Sequence, residues 1–407
     1  MTDVAIVGGG LAGLTCARRL QADGRTCVVL EASDAVGGRV RTDMVDGFQL
    51  DRGFQVLLTA YPAAQRWLDY EALQLGTFAP GARVWCDGEL HLVSDPTRVP
   101  GDLMATMRAP VGSLGDKMKI ATLRSSVKQG TLDELFARPE TTALQALRDH
   151  GFSDTMIERF FRPWFGGIFL DAGLSASSRM LEFVMRMFAE GSAALPATGM
   201  QAIPEQLAAG LAPGTVRLGA RATAVESGAV VLEGGERVEA AHVVVATDGL
   251  TAAQLLPEVT PPAWNRVTNL YFAAARSPLG GPILAINGSG AGLVNNVAVL
   301  SDVSARYAPA GQALVSVSVL NDAPVDDRTE AAQVQQELAA WFGADVASWR
   351  WLRTYRIPHA LPVRVPLERR TATPVRPGVW IAGDCTDSAS IQGAMDSGER
   401  VAAAIPR

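Results

Sequence analysis

Apolar positions along the chain change period several times, and the changes divide it into segments. Residues 4–7 are a short unbroken apolar run ending in glycines, residues 11–22 repeat with helical spacing, and Thr26–Leu30 is a second run with strand character. This predicts strand, helix, strand, a unit that crosses over right-handedly in a parallel sheet. From Tyr61 to about residue 190 the spacing turns helical, as in Thr131–His150 and Ser153–Phe161, cut by Pro and Gly. A separate helix-rich region is expected there. Val216–Ala246 returns to β character, with Gly228 and Gly234-Gly235 as turns, and its final run Val243–Val245 belongs beside the first sheet. Val267–Ala273, Val294–Leu300 and Ala313–Leu320 alternate like strands, Glu330–Phe342 is spaced as a helix, and Val379–Ala382 predicts a strand before a last helix.

Composition narrows the classes. At 407 residues the chain exceeds one ordinary core, since domains run to about 100–200 residues. Two domains are expected. Apolar residues at 48% and charged ones at 19% are globular values, and a net charge of −6 excludes a nucleic-acid surface as the main business. Cys16, Cys27, Cys86 and Cys385 lack metal-ligand or disulfide spacing, so no metal site is expected and a reducing cytoplasm suits them. The first residues have no signal-peptide pattern, and no apolar run reaches the roughly 18 residues of a membrane span.

The first chemistry-bearing motif is Gly8-Gly9-Gly10-Leu11-Ala12-Gly13, a G-x-G-x-x-G between a strand and a helix. Its glycines permit a tight turn, close approach of backbone to a pyrophosphate, and close helix-strand packing, while the helix N-terminus offers N–H groups. Glu31, 18 residues past Gly13, is placed to bond both hydroxyls of an unphosphorylated ribose. Val36-Gly37-Gly38-Arg39-Val40-Arg41 adds a second glycine turn with guanidinium groups for phosphate charge. Near the other end, Pro377–Asp384 is a strand running into Gly383-Asp384, and Ile391-Gln392-Gly393-Ala394 opens the last helix.

These motifs, in this order, resemble the flavin-containing amine oxidase superfamily, which includes monoamine oxidases, protoporphyrinogen oxidases and phytoene desaturases. Leu50–Gln55 resembles its segment beside the flavin ring, and Gly199–Pro204 resembles its re-entry into the cofactor domain. The resemblance implies an α/β fold: a Rossmann-like FAD-binding domain assembled from residues 1–60, 191–260 and 366–407, interleaved with an α+β substrate domain from 61–190 and 261–365. It implies FAD contacts at Gly8, Gly10, Leu11, Ala12, Gly13, Glu31, Ala32, Gly38 and Arg39. Further contacts are implied at Gly53, Phe54, Gln55, Ala222, Gly383, Asp384, Gln392 and Ala394, the last helix facing the flavin edge that becomes negative on reduction. Ser33 departs from the pattern, because many members carry an arginine there. No cysteine lies in 350–365, where flavinylated relatives attach the ring, so non-covalent FAD is expected.

The reaction is less clearly marked. Amine-oxidising members place a lysine near flavin N5 on a substrate-domain strand, and the matching position in Arg266–Phe272 is read as Thr268. The only lysines are Lys117, Lys119 and Lys128. Of an aromatic cage, Tyr355 is one candidate wall, and Ser390 stands where the other would be. Amine oxidation is therefore the alternative, and hydride transfer from a small hydrophobic substrate, isoprenoid or tetrapyrrole, is the leading reading, with electrons passing to oxygen, a quinone or another acceptor. A flavin isomerase or mutase, or a non-enzymatic binder such as the Rab GDP dissociation inhibitors, are readings from other classes. No catalytic residue is assigned. His359 could touch substrate, though a structural role is favoured; Phe160–Gly167 is favoured as core. Arg98–Lys128, with its methionines and lysines, is read as a solvated cover over the cavity in preference to a peripheral membrane contact.

Overall fold

The computed structural model describes residues 2–320, 325–368 and 371–406. In the first of two seven-stranded sheets, Thr2–Val7 lies parallel to Cys27–Leu30 on one side and to Arg237–Val245 on the other. Val216–Arg217 extends one edge, and Val379–Ile381 runs parallel to the end of Arg237–Val245. The beginning of Arg237–Val245 pairs antiparallel with Ala229–Leu232, which continues to Ala222–Glu226. Strands covered on both faces can be apolar throughout, and Val4–Val7 and Val243–Val245 are no more than 3% exposed. Helix Leu11–Ala22 makes the crossover and packs against the last helix, Ile391–Ala404. A Cβ on Gly398 would stand 2.1 Å from the Ala12 carbonyl oxygen, so that crossing needs glycine.

The second sheet runs Arg350–Pro362, Trp264–Ala274, Ala313–Val319, Val294–Val299, Leu284–Asn287, Gly81–Cys86, Glu89–Ser94. All pairs are antiparallel except Leu284–Asn287 with Gly81–Cys86. The stretch expected to be helix-rich thus lends this sheet a hairpin, turned at Asp87-Gly88, both with positive φ. Asp46-Gly47 turns the hairpin Thr42–Val45/Phe48–Asp51 in the same way. Asp-Gly matches the φ > 0 pair that a tight two-residue hairpin turn demands. Thr131–His150 is not one helix: Leu132–Phe136 and Ala143–Asp149 each start on a threonine cap, with Pro139 between them.

Helix Asp327–Phe342 covers the outer face of the second sheet, burying Val334, Leu338 and Trp341 against Leu270, Phe272, Val315 and Val317. Tyr271, Ala273 and Ala298 face inward, in a core cluster that also holds Phe161 and Phe165. Those two rings are fully buried.

Candidate functional site

The parallel ladder of the first sheet sets three strand ends side by side: Val7 leads into Gly8, Val245 into Ala246, and Ile381 into Ala382-Gly383-Asp384. Ala246 N–H donates to the Val7 carbonyl and Ala382 N–H to that of Val245. A crevice beyond the carboxyl ends of parallel strands is where such sheets take ligands. Gly8 has φ +109°, and a Cβ there would lie 2.7 Å from the Ala246 carbonyl oxygen; one on Gly13 would lie 2.0 Å from that of Gly8. Neither position accepts a side chain. Gly10 differs, because nothing lies within 4 Å of its Cβ position. Gly37 N–H donates to the Gly9 carbonyl at 2.8 Å, and Gly38 (φ +60°) faces Gly10 with a would-be Cβ 3.6 Å from its Cα.

The two glycine turns therefore form a trough free of side chains at the start of helix Leu11–Ala22. That helix has Gly10 at its N-cap, no side-chain cap and no acid in its first turn. Helices elsewhere in the chain are closed by Ser113, Thr131, Thr142, Asp248 and Asp326. Backbone N–H groups and the positive end of the helix are left for an anion, so a dinucleotide pyrophosphate fits the residues present.

Glu31 ends the neighbouring strand and is 9% exposed. Its carboxylate accepts from Gly9 N–H at 2.6 Å and from Ser33 N–H at 2.8 Å, and the Ser33 hydroxyl bonds it as well. Ser33 thus orients the acid. Ala220 N–H donates to the Glu31 carbonyl at 2.8 Å, which brings Ala222 and its strand near Glu31 and Ala32. Arg39 joins the two ends of the chain: Nη2 contacts Asp384 Oδ1 at 2.7 Å, Nη1 donates to the Ala360 carbonyl at 2.9 Å, and the guanidinium lies over the Trp264 ring. Gln55 Nε2 donates to the Arg39 carbonyl at 3.0 Å.

The inner face of the second sheet closes the crevice. A Cβ on Gly53 (φ +95°) would lie 2.6 Å from Ile357 Cδ1, so the Leu50–Gln55 segment runs directly against strand Arg350–Pro362. Ile357 pairs with Val267, Tyr355 with Asn269 and Arg353 with Tyr271, and these share the inward face. Asn269 Oδ1 accepts from the Ser316 and Ser318 hydroxyls at 3.2 Å, and Asn296 Nδ2 reaches Ser318 at 3.3 Å. Phe54 packs edge-on against Phe78.

Asp51, 1% exposed, pins this segment. It accepts from Thr42 Oγ1 at 2.6 Å, Met200 N–H at 2.9 Å and Tyr307 OH at 2.9 Å, while its own carbonyl accepts from Tyr271 OH at 2.8 Å. Burial pushes its carboxyl up to about 6, against the pull of those donors. At the far side, Gln392 Oε1 accepts from Ala63 N–H, and Ser390 caps the last helix through Gly393 N–H, one turn that also contains Ala394.

The structure thus gathers the glycine turns, Glu31, Arg39, Gly53, Gln55 and Asp384 around one crevice. Thr268 is elsewhere: it pairs with Val319 and Arg356 on the outer face, beneath helix Asp327–Phe342, and its hydroxyl is buried without a partner among the described residues. Asn269 holds the inward position that the sequence reading gave to its neighbour. His359 is exposed and touches the edge of the crevice through the Trp264 ring, 5.5 Å away. Tyr355 keeps its ring edge-on to Tyr271, and its hydroxyl donates to Asp43 at 2.8 Å. The sequence reading also missed the buried carboxyl of Asp51. Strand parity held the signal for Asn269; no local signal announced the second.

Comparison with known proteins agrees with this architecture. A family model for flavin-containing amine oxidoreductases matches residues 11–406. The chain is 26% identical to a hydroxysqualene dehydroxylase of Rhodopseudomonas palustris over 98% of this chain and 97% of that one. It is 28% identical to a phytoene dehydrogenase of Streptomyces griseus over 58% of this chain and 50% of the other, and 57% identical to a putrescine oxidase of Kocuria rosea over 53 residues, 11% of that protein. Among solved structures, an oxidoreductase from Methanosarcina mazei superposes with a TM-score of 0.76 at 17% identity, covering 97% of this chain and 98% of the other. A putrescine oxidase superposes at 0.73 and 18%, covering 99% and 98%. The chain belongs to the flavin-containing amine oxidoreductase family. It is an oxidoreductase that works with a flavin.

Proposed function

We propose that the protein is an FAD-dependent dehydrogenase of an apolar substrate, with the FAD held without a covalent link. When bound, FAD supplies the hydride acceptor at its ring N5. The trough of Gly8, Gly10, Leu11, Ala12, Gly13 and Gly38 takes the pyrophosphate, helped by Arg39, Gly383 and Asp384. Glu31 leaves Gly9 for the ribose hydroxyls, Ala32 and Ala222 flank the adenine, and Gly53, Phe54, Gln55, Gln392 and Ala394 surround the ring. In this reading the cofactor domain comprises residues 1–60, 191–260 and 366–407, and residues 61–190 and 261–365 hold the substrate.

The observation that carries the reading is the inner face of the second sheet. Val267, Asn269, Tyr271 and Ile357 look onto the Gly53 segment, and none is a lysine or an acid. All three lysines lie between residues 117 and 128. These four groups are uncharged, and although Arg353 shares their face it is a cation, so this wall offers no base to an amine and suits a step that needs proximity and orientation. The name of one relative puts a polyene isoprenoid such as phytoene first among substrates to try; a dehydroxylation, as in the name of another, consumes electrons and would oxidise reduced flavin instead of bleaching it. Electrons then pass to oxygen, a quinone or another acceptor.

Anaerobic mixing tests this. Detergent-dispersed isoprenoid should bleach the flavin absorption near 450 nm in stoichiometric amounts. Bleaching by putrescine alone would transfer the protein to amine oxidation, and turnover confined to previously reduced enzyme, with the flavin left reduced, would make it an isomerase. Acid precipitation should leave FAD in the supernatant; a yellow pellet would overturn the non-covalent link.

A further inference from the structure

We propose that helices Leu103–Arg108 and Leu114–Val127 form a docking face for an anionic lipid surface. Nine large apolar side chains stand exposed among the described residues, and five of them are Leu103, Met104, Met107, Leu114 and Met118. Single exposed apolar residues need no explanation, whereas a gathering of them marks an interaction surface. Leu103, Met104 and Met107 share one side of their helix at helical spacing, as do Leu114 and Met118 on theirs. Lys117 Nζ ties the two helices together, donating to the Met107 and Ala109 carbonyls at 2.8 and 2.7 Å. The buried residues, Thr106 on one helix and Asp116, Leu123 and Val127 on the other, lie away from this side. Met104 is 58% exposed and Met118 67%.

Charge selects the occupant. Arg98, Arg108, Lys117, Lys119, Arg124 and Lys128 stand against Asp102 and Asp116 here, in a chain of net charge −6. Asp116 is turned inward, 1% exposed, onto Ser113 and Ser153, and stands 3.9 Å from Lys119 Nζ, whose charge it partly offsets. Arg124 is paired with Asp95. An apolar face on a segment with an excess of cations, of which Arg98, Lys117 and Lys119 also bond backbone carbonyls, matches anionic headgroups above acyl chains. No described helix is long and apolar enough to cross a membrane, so the contact lies in the interface plane. The face would admit lipid-dissolved substrate to the crevice, a purpose that rests on the proposed substrate class, whereas the binding does not.

The test uses the flavin-loaded full chain, sedimented with vesicles of phosphatidylcholine alone or mixed with phosphatidylglycerol. The mixed vesicles should carry the protein down, less so at high salt. Met104→Asp with Met118→Asp, at unchanged melting temperature and 450 nm absorption, should weaken binding at least about tenfold. Arg108→Gln with Lys128→Gln should weaken it about tenfold on the mixed vesicles only. No sedimentation with anionic vesicles, or equal sedimentation of the aspartate variant, would overturn the proposal, as would self-association that the same variant abolishes. Turnover of detergent-dispersed substrate is measured separately: vesicle binding without turnover removes the substrate reading alone, and turnover without vesicle binding removes the docking face alone.

Discussion

The crevice has two walls made on different principles. The wall of the first sheet is specified by backbone: Gly8, Gly13 and Gly398 stand where a Cβ would strike a carbonyl oxygen, and no other residue meets that demand. The wall of the second sheet is specified by side-chain direction, with Thr268 and Asn269 adjacent in sequence yet on opposite faces. The first kind of specification leaves a legible mark at fixed spacing. The second turns on a single step of register, because a slip of one residue exchanges the two faces of a strand.

The largest expected effect strikes the first wall. Gly13→Ala forces a Cβ against the Gly8 carbonyl and should cost about 3 kcal/mol or more, in the upper range of overpacking, with loss of bound flavin. Gly10→Ala has room for its methyl within the protein, so it should melt as the wild-type apoprotein does while its 450 nm to 280 nm absorption ratio collapses. If both variants keep their flavin, the trough is not a phosphate site.

The second wall is broken by a pair of variants. Asn269→Leu strands the Ser316 and Ser318 hydroxyls and should destabilise by about 1–3 kcal/mol, with an altered rate of anaerobic flavin bleaching. Thr268→Val removes a buried, unpartnered hydroxyl and should stay within about 1 kcal/mol of wild type at an unchanged rate. The reverse ranking would return the inward position to Thr268.

Asp51 sits where the walls meet, and its pH dependence has a definite sign. Its carboxyl is raised to about 6 by burial, so the stability it lends is complete below the ordinary carboxylate range and is lost as pH rises through about 6. The melting temperature of wild type relative to Asp51→Asn should therefore fall between about pH 4 and pH 7, by the equivalent of about 1–3 kcal/mol. A flat or rising difference would contradict the burial. The smallest effect is expected of Arg39→Lys, which keeps charge beside Asp384 but gives up the second bond to Ala360 and the contact with Trp264; flavin retention should weaken about fivefold in dilution.

Much of the first sheet was legible because its requirements are local. The strand, helix, strand opening, the run Val243–Val245 beside it and the late strand Val379–Ile381 all followed from periods and glycines. The hairpins at Asp46-Gly47 and Asp87-Gly88 carried their turn signal equally openly, yet neither was read as a hairpin, the second because it lies within a stretch read as helical. Arg41 and Arg39 show the limit. Both looked alike in a glycine turn, and only the fold pairs Arg39 with Asp384, while Arg41 reaches Asp34.

The sequence by itself determined the class of cofactor and the trough that suits it, since a backbone brought close to a phosphate must be glycine and must precede a helix. Tertiary structure alone decided which side chains face the crevice and that Asp51 is buried. Those properties depend on what lies across a strand or beside a helix, often hundreds of residues away along the chain, and no local pattern records it.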